Sequence, residues 1–324
     1  MTFKNQIIQI ILLTVAFSFC EAQPFRIISY NAENLFDTIN DPLTADDDFT
    51  PEGNRHWDSF RYWHKLHQLS TVIASAGGWQ HAALVALVEI ENDTCLRDLC
   101  QRSTLRKYRY RYAHYDSPDV RGIDVALLYD PGQINITETR PIAIDFGYPT
   151  RPTRDLLYAK GITYTHDTLH IIVCHTPSQL GGKEAREKRI TVLGTINTLA
   201  DSIINDNHAA QIVLMGDFND SPQNITPYIP ALTNLMDTEP QSLMNYENAA
   251  HGTYVYQEIW NILDQFFISP ALQNRCRARV YNADRLLKDG KPRRTYNYIR
   301  YDRNGYSDHL PIILDISVES KKTD

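Results

Sequence analysis

An α/β domain is what this sequence predicts, and three features predict it. Short apolar runs rich in β-branched residues recur along the chain, as buried strands do. Two longer stretches carry apolar residues at spacings of three and four, the mark of helices with one buried face. No Gly/Ser-rich or Pro-rich linker, low-complexity tract or internal repeat divides the 324 residues. One large core is therefore the simplest arrangement.

The first segment stands apart. Lys4 supplies a positive start, Ile7 to Phe19 is apolar except for Gln9, Thr14 and Ser18, and Cys20-Glu21-Ala22 follows. That is the layout of a cleaved secretory signal peptide, and the run is too short for a membrane span of ~20 residues. A secreted or periplasmic protein is expected. Cys20 offers a lipoprotein alternative, weakened by Phe17-Ser18-Phe19, because small residues are expected just before a lipidated Cys. No later segment is long and apolar enough to cross a membrane. The domain would then occupy 23–318, with a charged tail at 319–324. Setting Cys20 aside, Cys95, Cys100, Cys174 and Cys276 remain. An oxidising compartment permits disulfides, and Cys95 and Cys100 are close enough in sequence to bridge a local turn. No spacing marks structural zinc.

Phe25 to Tyr30 (FRIISY) reads as a buried strand. Asn31 at its end either closes a turn or orients a ligand or metal. Asn40 to Trp57 is a polar loop; Asp46, Asp47 and Asp48 lack the spaced oxygen ligands and Gly turn of a calcium loop and read as solvated. Asp58 to Ala76 is helical, capped by Asp58 and ended by Gly77-Gly78, with Phe60, Trp63, Leu66, Leu69, Val72 and Ile73 inward. Ala82 to Ile90 (AALVALVEI) is a strand broken by Glu89, whose carboxylate is costly there unless paired or metal-bound. Alternation puts Glu91, its rival as a ligand, on the same side.

Gly122 to Tyr129 (GIDVALLY) is a strand broken by Asp124 and closed by Asp130-Pro131-Gly132. Leu169 to His175 (LHIIVCH) is another. Lys183 to Ile204 is a long helix with Ile190, Leu193, Ile196, Leu199 and Ile203 inward. Gln211 to Met215 leads into Gly216-Asp217-Phe218-Asn219. Glycine lets the backbone turn close to a ligand, and Asp217 and Asn219, two apart, aim at one point. Trp260 to Ser269 reads as a strand with Asp264 in its middle, and a buried Asp needs a partner, for which a histidine is suited. Asp308-His309 opens the last strand, Ile312 to Ile316; taken alone, such a pair is equally a turn with a satisfied histidine.

A net charge of −7 excludes a protein that holds nucleic acid through overall charge. Two segments nevertheless interleave cations with Tyr: Arg102 to Arg111 and Arg293 to Arg303. Each reads either as a solvated amphipathic surface or as one that meets phosphates and stacks on bases. The second, with Arg293 and Arg294, runs directly into Ser307-Asp308-His309.

Strand ends thus supply Asn31, Glu89, His175, Asp217, Asn219 and Asp308-His309, with Asp264 inside a strand. Carboxylates, amides and two histidines at strand ends suit metal-assisted hydrolysis. No Gly-x-Ser-x-Gly and no Walker loop competes. Over nearly the whole mature chain, the sequence resembles the endonuclease/exonuclease/phosphatase superfamily, which includes DNase I, abasic-site endonucleases, sphingomyelinases and inositol polyphosphate phosphatases. The resemblance is carried by Ser29-Tyr30-Asn31 with Glu33 to Asp37, Leu87 to Asn92, Arg121 to Tyr129, His175-Thr176-Pro177-Ser178, Gly216-Asp217-Phe218-Asn219 and Ser307-Asp308-His309-Leu310-Pro311.

The resemblance implies a DNase I-like four-layer α/β sandwich, with two mostly antiparallel sheets between helices and the site at one edge. It also implies roles. Glu89 and Asp308 contact the metal and Asn31 lines its site. Asp217 and Asn219 position the attacking water and the scissile phosphate. His309 is the catalytic histidine and Asp264 orients it. His175 matches the second histidine of the DNase I-like branch, a proton donor to the leaving oxygen. Asp124 and Arg121 match no firm role in the family; support of His175 or the phosphate is the role expected for them.

The expected activity is Mg²⁺-dependent hydrolysis of a phosphoester, with Mn²⁺ or Ca²⁺ as alternatives, and nucleic acid is the expected substrate. The alternative is a lipid or small-molecule phosphoester. A non-catalytic binding protein on the same scaffold is disfavoured, because Glu89, Asp217, Asn219, Asp308 and His309 are all intact. No protein partner is implied, and a monomer is expected.

Overall fold

The computed structural model describes residues 23–236, 252–297 and 300–317. The expected signal segment and charged tail lie outside the described residues, as do residues 298–299 of the second Tyr/Arg segment.

In chain order the strands begin with β1 (Phe25–Leu35), β2 (Leu84–Ile90), β3 (Arg111–His114), β4 (Asp124–Tyr129), β5 (Ile134–Ile142) and β6 (Leu156–Thr163). Next come β7 (Thr168–His175), β8 (Gln211–Asp217), β9 (Thr233–Asn234), β10 (Tyr254–Tyr256), β11 (Ile259–Asn261), β12 (Asp264–Ile268) and β13 (Cys276–Val280). Last are β14 (Leu287–Lys288), β15 (Lys291–Pro292), β16 (Tyr296–Asn297), β17 (Arg300–Tyr301) and β18 (Ile312–Ile316). The main helices are α1 (Ser59–Gly77), α2 (Asp93–Arg102) and α3 (Gly182–Asp206).

Two six-stranded sheets result, ordered β13-β18-β1-β2-β4-β3 and β5-β6-β7-β8-β12-β9. β1 and β2 run parallel, as do β7 and β8, and the other pairings within both sheets are antiparallel. Alternation divides each strand between two cores. Ile27, Ala86, Val88 and Leu127 of the first sheet share one cluster with Ile171, Val173, Val213 and Phe266 of the second. On the outer face of the first sheet, Ile28, Tyr30, Val85 and Leu87 cluster with Leu66, Leu69, Val72 and Ile73 of α1. On the outer face of the second, Ile172, Cys174, Ile212 and Leu214 cluster with Val192, Leu193, Ile196 and Ala200 of α3. Helix, sheet, sheet and helix make the four layers.

Several local expectations change. In α1, Asp58 caps by accepting from Arg61 N, but Phe60 and Trp63 are exposed. The helix is phased so that Tyr62 and Lys65 face inward instead. The segment Trp260 to Ser269 is two strands, and Asp264 opens β12 rather than sitting in its middle. The bulge between Val88 and Ile90 breaks alternation, so Glu89 and Glu91 diverge. Glu91 accepts from Asp37 N in a buried setting, and burial pushes its carboxyl up to about 8. Asp46 is buried and accepts from Asp41 N, unlike the solvated loop expected. Cys95 and Cys100 are both free thiols within α2.

Candidate active site

The site forms where β1, β2, β7 and β8 end and β12 begins. Register brings the groups together: His175 and Asp264 both stand directly opposite Asp217 across β8. Gly216 makes the convergence possible. Its φ is 141°, and a Cβ there would lie 1.9 Å from the Cys174 carbonyl oxygen, so only glycine fits. Four non-glycine residues with left-handed backbone surround the same edge: Glu33, Asn34, Glu89 and Asn219, at φ 51°, 56°, 63° and 49°. Strain of this kind costs about 1–3 kcal/mol per residue and concentrates where side chains must be aimed.

Asp217 is the hub. It is buried; its Oδ1 accepts from Asn219 N at 2.8 Å and its Oδ2 accepts from the Asn31 amide at 3.1 Å. Asn31 is held in turn, its Oδ1 accepting from Glu33 N and its carbonyl from Ser307 Oγ. Asn219 donates its amide to Thr176 O. Burial raises the Asp217 carboxyl to about 7, with Asp264 and Glu89 adding to the rise and His309 opposing it.

His309 lies on one side of that carboxylate. Its Nδ1 is 2.7 Å from Asp264 Oδ2, and its Nε2 is 3.9 Å from Asp217 Oδ2. Tyr254 covers the ring at 4.8 Å between centroids. Burial opposes charging the imidazole, but Asp264 and Asp217 outweigh it and hold the imidazolium well above its ordinary range. Asp264 is fully buried, and its second oxygen has no hydrogen-bond partner.

His175 lies on the other side, its Nε2 3.6 Å from Asp217 Oδ2 and 3.9 Å from Glu89 Oε1. The sequence reading missed its neighbour. Arg154, just before β6, is buried and places Nη2 3.1 Å from His175 Nε2. A guanidinium only donates, so Nε2 is the acceptor and the ring proton belongs on Nδ1. Burial, then Arg154 and Arg121, push the His175 imidazolium well below its ordinary range. In this arrangement His175 Nε2 accepts from Arg154, whereas the resemblance implies a proton donor.

Glu89 accepts from Asn34 N through Oε2, leaving Oε1 toward the site. Asp308, the second metal contact expected, pairs its Oδ2 with Arg294 at 3.0 Å. Glu33 and Lys65 pack beside it. Buried Lys65 donates to Thr295 Oγ1 and to Tyr306 O, and lies 3.7 Å from Glu33. Asp124 finds its partners away from His175. It is buried at the start of β4, 3.3 Å from His114 and accepting from Ser117 N and Oγ. Arg121 contacts Asp119 at 3.6 Å, and Asp119 also pairs with Arg154 at 3.4 Å. Arg293 is engaged by both oxygens of Asp302. In the first Tyr/Arg segment Tyr110 is buried and donates to Ala82 O and Tyr108 stacks on His81, while Arg102, Arg106, Lys107, Arg109 and Arg111 are exposed.

The donor set fits a hard divalent cation. Mg²⁺ takes one or two carboxylates and keeps several waters, and Glu89 with the Asn31 amide nearby offers that. No group of three or more His, Cys, Asp or Glu ligand atoms gathers at this edge among the described residues, so a thiolate- or imidazole-rich centre does not fit.

An α/β sandwich with carboxylates, amides and two histidines, one favoured as the imidazolium and the other as the neutral imidazole, at one sheet edge is a framework for hydrolysing phosphoesters. A model of the Endonuclease/Exonuclease/phosphatase family matches residues 26–318, and the chain belongs to that family. Its enzymes are divalent-metal-dependent, and this chain is a phosphoester hydrolase. No curated protein matches the sequence. Truncated TDP2 of Caenorhabditis elegans shares the fold at a TM-score of 0.59 and 13% identity, covering 91% of this chain and 97% of that one. TDP2 of D. rerio, complexed with a single-strand DNA product, does so at 0.57 and 14%, covering 91% and 99%. The human Nocturnin catalytic domain with bound sulfate does so at 0.56 and 16%, covering 92% and 96%.

Proposed function

We propose that the chain is a secreted, Mg²⁺-dependent phosphodiesterase that cleaves nucleic-acid phosphodiester bonds by in-line attack of water. The observation that carries this reading is the Asp264–His309–Asp217 array, faced across the same carboxylate by Arg154 and His175. Mg²⁺ on Glu89, with Asn31 lining its site, would neutralise charge that builds on the phosphoryl oxygens.

The chain's own groups divide the remaining work. Asp217, poised near pH 7, takes the proton of the attacking water. Asn219, tied to Thr176, orients the scissile phosphate. His309 stays protonated and stabilises developing negative charge together with Arg154. His175 positions the Arg154 guanidinium rather than donating a proton. Asp308 and Arg294 form the rim on the Glu33 side.

A nucleic-acid substrate draws support from the fold relative that holds a single-strand DNA product. One observation favours a second reading, a lipid or small-molecule phosphoester: Arg293 and Arg294 are both occupied by carboxylates of the chain itself. The deciding experiment is hydrolysis of plasmid DNA, RNA and a sphingomyelin emulsion with Mg²⁺ and with EDTA, beside His309→Ala. Metal- and His309-dependent nicking or RNA cleavage supports the nuclease. Silence on both nucleic acids with release from the lipid supports the second reading. Secretion is tested by the N-terminus of the exported protein, expected just after residue 22.

A further inference from the structure

The β3–β4 hairpin holds a polar cluster that the reaction does not use. His114 ends β3, Asp124 opens β4, and Asp116 sits in the loop between them. One ligand atom from each lies within 4.8 Å of the other two. The His114 side chain is only 6% exposed, yet its Nε2 has no hydrogen-bond partner. That nitrogen lies 3.3 Å from Asp124 Oδ2, without the alignment of a hydrogen bond. A simple His–Asp ion pair would align an N–H with the carboxylate.

We propose that His114, Asp116 and Asp124 are ligands for a Zn²⁺-class divalent cation, which fastens the 115–123 loop to β4. Bonds of about 2.0 Å to a tetrahedral ion set its ligand atoms about 3.3 Å apart, the separation found between His114 Nε2 and Asp124 Oδ2. Asp116 is exposed and supplies the third ligand. The other oxygen of Asp124 is already fixed by Ser117 N and Oγ, so the carboxylate is oriented in advance. One imidazole with two carboxylates suits Zn²⁺ better than Mg²⁺ or Ca²⁺, which take oxygen ligands. Negative charge does accumulate here: burial, and then Asp124, hold the Asp155 carboxyl above its ordinary range.

The loop so fastened carries Asp119 and Arg121, and Asp119 pairs with Arg154. The cation would therefore be structural, steadying the counter-charge of Arg154 from outside the active site.

The test is Zn²⁺ titration followed by calorimetry, with Co²⁺ absorption as the probe of tetrahedral geometry. Four proteins are compared: wild type, Glu89→Gln, Asp116→Asn and His114→Gln. The proposal expects one Zn²⁺ per chain in wild type and in Glu89→Gln. Asp116→Asn, a surface change that leaves the fold intact, should bind about tenfold or more weakly and lose the tetrahedral Co²⁺ band. His114→Gln should behave likewise where circular dichroism shows it folded. Three results overturn the proposal. One is Zn²⁺ bound as in wild type by Asp116→Asn, which would mean adventitious surface histidines. Another is binding lost only in Glu89→Gln, which would place the ion at the active site. The last is no stoichiometric binding.

Discussion

Two histidines flank one carboxylate oxygen, Asp217 Oδ2, at 3.9 and 3.6 Å, and they are held in opposite protonation states. Both are buried, which disfavours the charged form of each. Neighbours decide the outcome. His309 meets Asp264 at hydrogen-bond distance and stays an imidazolium. His175 meets Arg154 and stays neutral. The positive charge on the His175 side thus resides on a guanidinium that does not titrate in the working range. A histidine at a strand end has no fixed role; the residue it touches assigns one.

The largest effect should come from breaking the charged side. His309→Ala, or Asp264→Asn, is expected to lower kcat/KM about 10²–10⁴-fold while the folded yield is unchanged; near-normal turnover would contradict the assignment. On the other side, Arg154→Ala should cost about 10²–10³-fold in kcat. It should also raise the His175 pKa, because Arg154 is one of the groups depressing it, and NMR of the ring nitrogens reads that directly. A metal-dependent readout separates the two sides from Glu89. Glu89→Gln should shift the Mg²⁺ concentration for half-maximal rate, which Arg154→Ala should leave in place.

A smaller effect concerns stability. The folded Asp217 carboxyl, at about 7, lies above its unfolded value near 3.9. Its contribution is fully present below the unfolded value and is lost as pH rises through about 7. Asp217→Asn removes that loss, so its Tm relative to wild type should climb between pH 5 and pH 8 in metal-free buffer, although the variant is inactive. A constant difference would show that the buried carboxyl is not raised. The smallest effect is expected from Arg293→Ala, which only loses a half-buried pair with Asp302. KM for any nucleic acid should change by less than about fivefold, and a marked flattening of its salt dependence would restore the substrate-binding role.

Most of the frame was legible because an apolar run that ends in a charged residue must bury or pair that charge. Glu89, His175 and Asp217 all announce themselves in that way, and His309 is marked by the Ser-Asp-His-Leu-Pro motif ahead of the last apolar run. Arg154 did not, although the same rule reaches it from the other direction: it stands just before the run Leu156-Leu157-Tyr158-Ala159, at a strand start rather than an end. β5 escaped for a different reason. It is an edge strand, largely exposed, with Glu138, Arg140 and Pro141 in it, so no apolar run marks it. Lys65 escaped because a charged side chain on the buried face of α1 makes sense only once Thr295, Tyr306 and Glu33, far along the chain or before it, are known to meet it. The bulge at Glu89 is likewise invisible to alternation, which assigned Glu91 to the wrong side.

The opposed protonation of the two histidines is tested most directly by ¹H–¹⁵N NMR of the imidazoles, titrated from pH 5 to pH 8 in the metal-free protein. The account predicts His309 with both nitrogens protonated throughout, and His175 neutral throughout with its proton on Nδ1. A His175 that gains a second proton near pH 6.5, or a His309 that loses one there, would contradict it.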